Sequence, residues 1–198
     1  TGTYANPYVE LVADATLTEP DGHTTRTIPL FWDGAAIWKL RFAPDKIGTW
    51  QWKVKSADRG LDGRSGTFAC VASNRRGSIQ PMAGAPRHFQ YQNGEGLWFM
   101  ADTAWAYLTD SAEEKHDRTA TERYIDNRAR QGFNAIHLML LNEAGWPNRG
   151  GPPWHDIGQE QINPVYFREA DLRIAYANSH GVVTGIAIAW GDKGRQEP

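Results

Sequence analysis

Three apolar runs of the sequence end in polar or aromatic side chains that could take part in chemistry. Carboxylates act as general acids and bases, and indole rings are flat platforms for the apolar faces of sugars or nucleic-acid bases. Because ligands bind at the carboxyl ends of parallel strands in β/α folds, we expect these side chains to surround one pocket. They are Asp102, Trp105, Asn142, Glu143, Trp190 and Asp192.

Several of these candidates also have a purely structural interpretation. Asp102 could orient a sugar hydroxyl or cap a turn, and the rings of Trp105 and Trp190 could stack on sugar or pack beneath loops. Glu143 is the only glutamate at the end of a predicted strand, which makes it the one local candidate for acid/base catalysis. Its alternative is a role within the loop that follows.

Three further positions belong to the same set of candidates. His137 lies within the second apolar run, where it is either a core histidine or a substrate contact. Trp146 lies in a loop rich in glycine and proline, where a ring can serve as a stacking platform. His155 and Asp156 could bind a metal ion, but two ligands do not make a metal site. We therefore predict neither a metal nor another cofactor.

The composition argues against several classes of function. The 198 residues carry a formal net charge of −2, which gives no support for binding nucleic acid or an anionic membrane. No apolar run approaches the ~20 residues of a membrane helix, and the single cysteine, Cys70, cannot form an internal disulfide. Of nine tryptophans, Trp146, Trp154 and Trp190 lie in predicted loops. Without a basic patch, sugars suit such rings better than bases do.

Residues 1–73 show the pattern of an all-β domain. A strand is predicted from Tyr8 to Leu17, Asp33-Gly34 predicts a hairpin turn, and residues 49–55 alternate apolar with polar side chains. Five or six short strands separated by turn residues are typical of an immunoglobulin-like β-sandwich. The tryptophans expected in its core are Trp32, Trp38, Trp50 and Trp52.

The second part of the chain has a different pattern. Residues 74–86 predict a linker, and residues 87–198 predict the order strand, helix, strand, helix, strand. The strands are apolar runs at 97–101, 133–141 and 182–189, typical of strands buried on both faces, and the helices lie at 117–131 and 163–181. No glycine-rich phosphate loop follows a strand, which disfavours a nucleotide fold.

This order predicts the first three βα units of a (β/α)8 TIM barrel. A full barrel needs ~250 residues. We therefore expect the chain to be truncated inside its second domain.

Motifs in both parts of the chain resemble known families. Asn6-Pro7-Tyr8, Phe31 to Gly34, Trp38 to Pro44 and Gly48 to Trp50 are similar to a bacterial immunoglobulin-like β-sandwich module that precedes glycoside hydrolase barrels. Phe99 to Trp105, Tyr124 to Asn134, Asn163 to Asp171 and Gly181 to Gly191 resemble the apiosidase-like (collagenase-like) barrel domain.

The resemblance implies a secreted or periplasmic bacterial enzyme that hydrolyses glycosidic bonds in plant or microbial polysaccharide. Related barrels use two carboxylates at the ends of the fourth and seventh strands, so the resemblance places the catalytic pair beyond this chain. The implied partners are an oligo- or polysaccharide and the missing C-terminal part of the barrel, from the same gene product or a second chain. The alternatives are a non-catalytic carbohydrate-binding module and a polysaccharide lyase on the same frame.

Overall fold

The chain forms two compact units, Thr1–Asn74 and Arg75–Pro198, in a computed structural model. The structure describes residues 2–141, 146–156, 158 and 160–188. None of the helices within these ranges has the length and apolar character needed to cross a lipid bilayer.

Unit one is built mainly from short antiparallel strands. Its elements are α1 (Pro7–Glu10), β1 (Ala13–Thr18), β2 (Thr25–Pro29), β3 (Phe31–Trp32), β4 (Trp38–Lys39), β5 (Gly48–Ser56) and β6 (Ser65–Cys70). Four strands form a sheet in the order β2-β1-β5-β6, and β3 pairs with β4 in a two-stranded ribbon. The predicted turn at Asp33-Gly34 connects the two strands of this ribbon.

The predicted strand from Tyr8 to Leu17 is wrong in its first half. Pro7–Glu10 forms one helical turn, because Pro7 is pre-organised for the first helical position and the carbonyl of Asn6 accepts from the amides of Val9 and Glu10. Tyr8 and Val9 are 49% and 65% exposed, so their apolar side chains do not continue the buried face of β1.

Tryptophan rings organise the inner face of the β1–β5 sheet. Trp50 is completely buried, lies edge-on to Phe42 at 5.0 Å and stacks parallel to Phe68 at 6.1 Å between ring centroids. Trp52 is partly buried and lies against the backbone of Gly66, its partner across the strand pair. A Cβ atom at Gly66 would come within 2.8 Å of the Trp52 ring, so this position has room only for glycine.

Unit two contains an antiparallel sheet and a parallel sheet. Its elements are β7 (Ile79–Met82), β8 (Ala85–Tyr91), β9 (Gly96–Leu97), β10 (Ala101–Thr103), α2 (Arg118–Arg130), β11 (Ala135–Met139), α3 (Pro164–Ser179) and β12 (Val183–Ala187). Strands β7, β8 and β9 pair in chain order, and β10, β11 and β12 pair in parallel, with α2 and α3 as the connections.

The second half of the predicted linker at residues 74–86 contains a β-strand. Ile79–Met82 is a strand that pairs with β8, and Pro81 is tolerated where the register shifts at an irregularity between Pro81 and Met82. The proline and glycine residues that suggested a linker instead shape this hairpin, in which Gly84 has a positive φ of 76°.

Both long helices begin and end where their capping residues predict. The side chain of Asp117 accepts from the amide of Ala120 at the start of α2, and Gly132 follows its end with φ +85°. Asn163 caps α3 before Pro164, and Gly181 follows that helix with φ +76°. These caps set the points at which β11 and β12 begin.

The prediction that all three parallel strands are buried on both faces holds for most of β11 but is wrong for β10 and β12. In β11, Ala135, Ile136, Leu138 and Met139 are all buried, so this strand is covered on both faces except at His137. The apolar run before β10 is largely exposed, with Trp98 at 83% and Phe99 at 52%. Ile186 of β12 is 42% exposed.

Candidate functional site

A row of three exposed residues crosses the face of the parallel sheet that points away from the helices, which we call the open face. The register pairs Thr103 of β10 with His137 of β11, and His137 with Gly185 of β12. All three are exposed, whereas Ile136 and Leu138 on either side of His137 are buried under the helices. The alternation of side chains along a strand therefore points His137 away from the helix layer.

The ring of Trp105 lies beside His137. The two ring centroids are 5.7 Å apart at 79°, an edge-on arrangement. The chain after β10 continues along β11, because the amide of Ala104 donates to the His137 carbonyl at 2.8 Å and the amide of Met139 donates to the Trp105 carbonyl at 3.3 Å. The structure thus brings together two of the predicted substrate-binding residues, an imidazole and a partly buried indole.

The carboxylate of Asp102, a predicted substrate contact, faces in the opposite direction to His137. Asp102 pairs with Ile136 in the sheet, so its side chain points toward α2. Its Oδ2 accepts from the hydroxyl of Tyr124 at 2.8 Å and from Nε of Arg128 at 2.5 Å, and its Oδ1 accepts from the amide of Thr103. The Tyr124 hydroxyl, and after it Arg128, lower the pKa of the carboxyl below its usual value.

The guanidinium of Arg128 lies close to two aromatic rings. Its Cζ lies 5.1 Å from the centroid of Tyr124 and 5.0 Å from that of Phe133. Its Nη1 donates to the side chain of Gln131. The bonds of Tyr124 and Arg128 to Asp102 fix α2 against β10 and so fix the position of the strand end that precedes Trp105.

A buried arginine anchors the loop after β10 to α3. Arg173 is completely buried, and its Nη1 donates to the carbonyls of Tyr107 and Thr109, both at 3.0 Å. Its Nη2 donates to Asp110 at 2.5 Å, and its Nε donates to Glu169 at 3.2 Å. The fork of the guanidinium matches this set of acceptors, so the loop that follows Trp105 is held rigidly.

The loop that carries Trp146 is hydrogen-bonded to the segment that follows Trp105. The amide of Asp110 donates to the carbonyl of Pro147 at 2.7 Å, and the buried side-chain amide of Asn148 donates to the carbonyls of Leu108 and Tyr166. Trp146 itself is 37% exposed. A second indole thus lies on a loop fixed to the segment that follows Trp105.

The structure does not place the remaining predicted residues beside His137. Asn142, Glu143, Trp190 and Asp192 lie outside the residues that the structure describes. The carboxylate of Asp156 accepts from the amides of Glu160 and Gln161, which closes its own loop. Within the described ranges no group of three His, Cys, Asp or Glu side chains could hold a metal ion.

Sequence reasoning missed the residues that position the site. Arg173 reads as an ordinary exposed charge in a helix, and its only local signal is the spacing of four residues from Glu169. Thr103 lies directly beside Asp102, but the apolar run before it has no alternation that would distinguish the two faces.

The second part of the chain matches a known family. Residues 84–198 match the family described as apiosidase-like, catalytic domain. The chain belongs to this family. Its membership supports a glycosidase role and confirms the resemblance that the motifs indicated. Residues 1–57 match a domain of unknown function (DUF5060).

Similar solved structures come from Bacteroides vulgatus. The chain resembles a candidate glycoside hydrolase with a TM-score of 0.74 and 21% identity, over 95% of this chain and 38% of that one. A glycoside hydrolase of family 5 shares 22% identity over 55% of this chain and 24% of that one, with a TM-score of 0.43. The first similarity shows a shared fold, and this chain spans well under half the length of that relative. No curated protein matches the chain.

Proposed function

We propose that this chain is part of a glycoside hydrolase that cleaves glycosidic bonds in plant or microbial polysaccharide. The observation that carries the proposal is the match of residues 84–198 to the apiosidase-like catalytic domain. The strand order agrees with it, because α2 and α3 join three parallel strands, and the ring of Trp105, which follows the carboxyl end of β10, lies beside His137 of β11.

The architecture we propose for the whole is an immunoglobulin-like β-sandwich followed by the first three βα units of a (β/α)8 barrel. The antiparallel sheet and ribbon of unit one support the first part, and the parallel order β10-β11-β12 supports the second. The domains would be a sandwich at residues 1–73 and a barrel portion at 87–198. We propose a secreted or periplasmic location, as expected for an enzyme that acts on polymeric sugars.

The substrate contacts we propose lie at the carboxyl ends of the parallel strands. His137 offers a hydrogen-bonding imidazole, and Trp105 and Trp146 offer indole platforms. Asn142, Trp190 and Asp192 follow β11 and β12 in the sequence and complete the proposed set.

Hydrolysis of a glycosidic bond needs two carboxyl groups, one to protonate the leaving oxygen and one to act on the anomeric carbon or on water. Asp102 is bound to α2, so it does not supply one of them. Glu143 follows β11 and is the candidate within the chain. We propose that the catalytic pair belongs to polypeptide outside residues 1–198, which is consistent with the 38% of the Bacteroides vulgatus relative that this chain covers.

The test is an assay of the natural polypeptide that contains this chain on a panel of plant polysaccharides. New reducing ends without ultraviolet absorbance are expected for hydrolysis. An unsaturated, absorbing product would instead show a lyase, and binding without cleavage would show a carbohydrate-binding module; either result contradicts the proposal. Glu143→Gln tests the local carboxylate, and Glu114→Gln, at an exposed position, is its matched control.

A further inference from the structure

Unit one contains a cleft whose side chains suit a ligand. It lies between the N-terminal arm at residues 2–4, the β3–β4 turn and the loop after β5, and it has a volume of about 900 Å³. We call it the arm cleft, and the side chains that matter in it are Tyr4, Trp38, Trp52, Asp58 and Arg64. The volume is within the range of small-molecule binding sites.

The base of the arm cleft is aromatic and pre-positioned. Trp38 and Trp52 are both partly buried and pack against the core cluster that contains Val54. Trp52 is fixed by its contact with the backbone of Gly66, and Trp38 is fixed by its pairing with Trp32 in the ribbon. Two indoles held in place before binding form a platform that costs little conformational entropy to use.

A buried carboxylate holds the wall of the cleft in place. Asp58 is 5% exposed, and it accepts from the amide of Gly2 at 2.7 Å, the hydroxyl of Tyr4 at 2.8 Å and the amide of Gly60 at 2.6 Å. These bonds join the N-terminal arm to the loop after β5. Because its charge is taken up by these donors, Asp58 presents little negative potential to a ligand.

The rim of the cleft carries a cation. Arg64 is exposed, and its Nε donates to the carbonyl of Gly60 at 2.9 Å. Within the residues the structure describes, its two terminal amino groups have no partner, so they are available to a ligand. A guanidinium in this state binds a carboxylate through two parallel hydrogen bonds.

We propose that the arm cleft binds a glycan that carries carboxylate groups, such as an oligogalacturonide. The indoles of Trp38 and Trp52 would stack on sugar rings, and Arg64 would bind a uronate carboxylate by charge complementarity. The choice of a glycan as the ligand class rests on the proposed function of unit two. The site itself is separate, since all of its residues belong to unit one.

The test is calorimetric titration of the 198-residue chain with hexagalacturonate, with cellohexaose as the neutral probe. We expect saturable binding of hexagalacturonate with a Kd below about 1 mM, and weaker binding of cellohexaose. Arg64→Met should weaken hexagalacturonate binding by about tenfold or more, because it removes the ion pair and keeps the aliphatic stem. Arg59→Met is the matched control, an exposed arginine of the same loop that does not line the cleft, and it should leave the Kd unchanged.

Trp38→Ala should also weaken binding, and circular dichroism must show that this variant is folded. If it is not folded, the exposed Arg64→Met variant decides alone. The proposal is overturned if hexagalacturonate does not bind, if Arg64→Met binds it as tightly as the parent chain, or if both probes bind equally well. Binding that is lost in Trp105→Ala but kept in Arg64→Met would place the glycan on unit two and overturn this inference without touching the proposed function. Binding at the arm cleft in a natural polypeptide that cleaves no glycan would remove the proposed function alone.

Discussion

The carboxylate of Asp102 and the guanidinium of Arg128 form an ion pair of 2.5 Å between β10 and α2. The pair lies on the helix side of the sheet, whereas the neighbouring Thr103 lies in the row with His137 on the open side. Of these two consecutive residues, Asp102 therefore stabilises the fold and Thr103 faces the candidate site.

Asp102→Asn is therefore expected to lower stability and to leave glycan binding intact. The amide keeps the shape of the carboxylate but loses charge-assisted bonds to Tyr124 and Arg128, at a cost of about 1.5–3 kcal/mol. Urea unfolding measures the loss, and Glu114→Gln, an exposed change in the same unit, should have almost none. Unchanged stability together with weakened glycan binding would instead place Asp102 in the pocket.

Trp105→Ala is expected to weaken glycan binding and to lower stability only moderately. The ring is partly buried at the open face, so its removal should cost less than the ~3–5 kcal/mol of an emptied core site. A lost stacking platform weakens binding by ~0.5–1.5 kcal/mol beyond the area that is buried. Glycan titration and thermal melting of the natural polypeptide measure the two effects, with Trp98→Ala as an exposed control in the same unit. A large fall in melting temperature with unchanged affinity would show that Trp105 is a core residue.

The elements that the sequence predicted well are those set by local chemistry. Asp117 and Gly132 delimit α2, and Asn163 and Gly181 delimit α3, because caps depend on residues within one turn of the helix end. The direction of Asp102 is not local. It depends on the pairing of Asp102 with Ile136, and an apolar run without alternation does not encode that register.

Dependence on distant contacts also explains why the exposure of Trp98 and the burial of Arg173 were not predicted. Whether Trp98 is exposed depends on what packs over it, and Arg173 is buried because three distant acceptors, the carbonyls of Tyr107 and Thr109 and the side chain of Asp110, meet around it. Neither fact leaves a periodic signal in the sequence. The family resemblance was recognisable because it rests on short motifs rather than on tertiary contacts.

Asn163→Asp is expected to be severely destabilising, although asparagine and aspartate are equally good helix caps. The side chain of Asn163 accepts from the amide of Val165, and its amino group also donates to the carbonyls of Gly150 and Pro152 at 2.9 and 2.7 Å. A carboxylate would keep the first bond but would face two carbonyl oxygens in a site that is 3% exposed, at a cost of about 3 kcal/mol.

The reciprocal change at the other helix provides the control for this prediction. Asp117 caps α2 at an exposed position and only accepts, so Asp117→Asn should change stability by less than about 0.5 kcal/mol. Urea unfolding of both variants measures the difference. Equal effects at the two caps would show that the donor bonds of Asn163 contribute nothing.

The Asp58 carboxylate is expected to make the stability of unit one sensitive to acid. Hydrogen bonds from the Gly2 amide, the Tyr4 hydroxyl and the Gly60 amide lower the pKa of Asp58 from 3.8 to about 2. A depressed pKa means that the folded state releases this proton more readily, so the stabilisation is present above pH 3.8 and is lost as the pH falls toward 2.

The measurement is the difference in urea midpoint between the parent chain and Asp58→Asn at pH 6, 4, 3 and 2. The difference should be largest at pH 6 and should shrink through the window between the two pKa values, because the other carboxyls titrate in both proteins. A difference that does not depend on pH would show that the charge of Asp58 does not hold the arm.

The contact between Trp52 and Gly66 has a consequence for how homologous sequences can vary. Gly66 has no positive φ, so its backbone would accept any residue, and only the ring across the strand pair excludes a side chain there. A side chain at position 66 can therefore be accommodated only after a smaller residue has replaced Trp52. Relatives with a larger residue at position 66 should carry a smaller one at position 52, and an ancestor of such a lineage would have lost the tryptophan first.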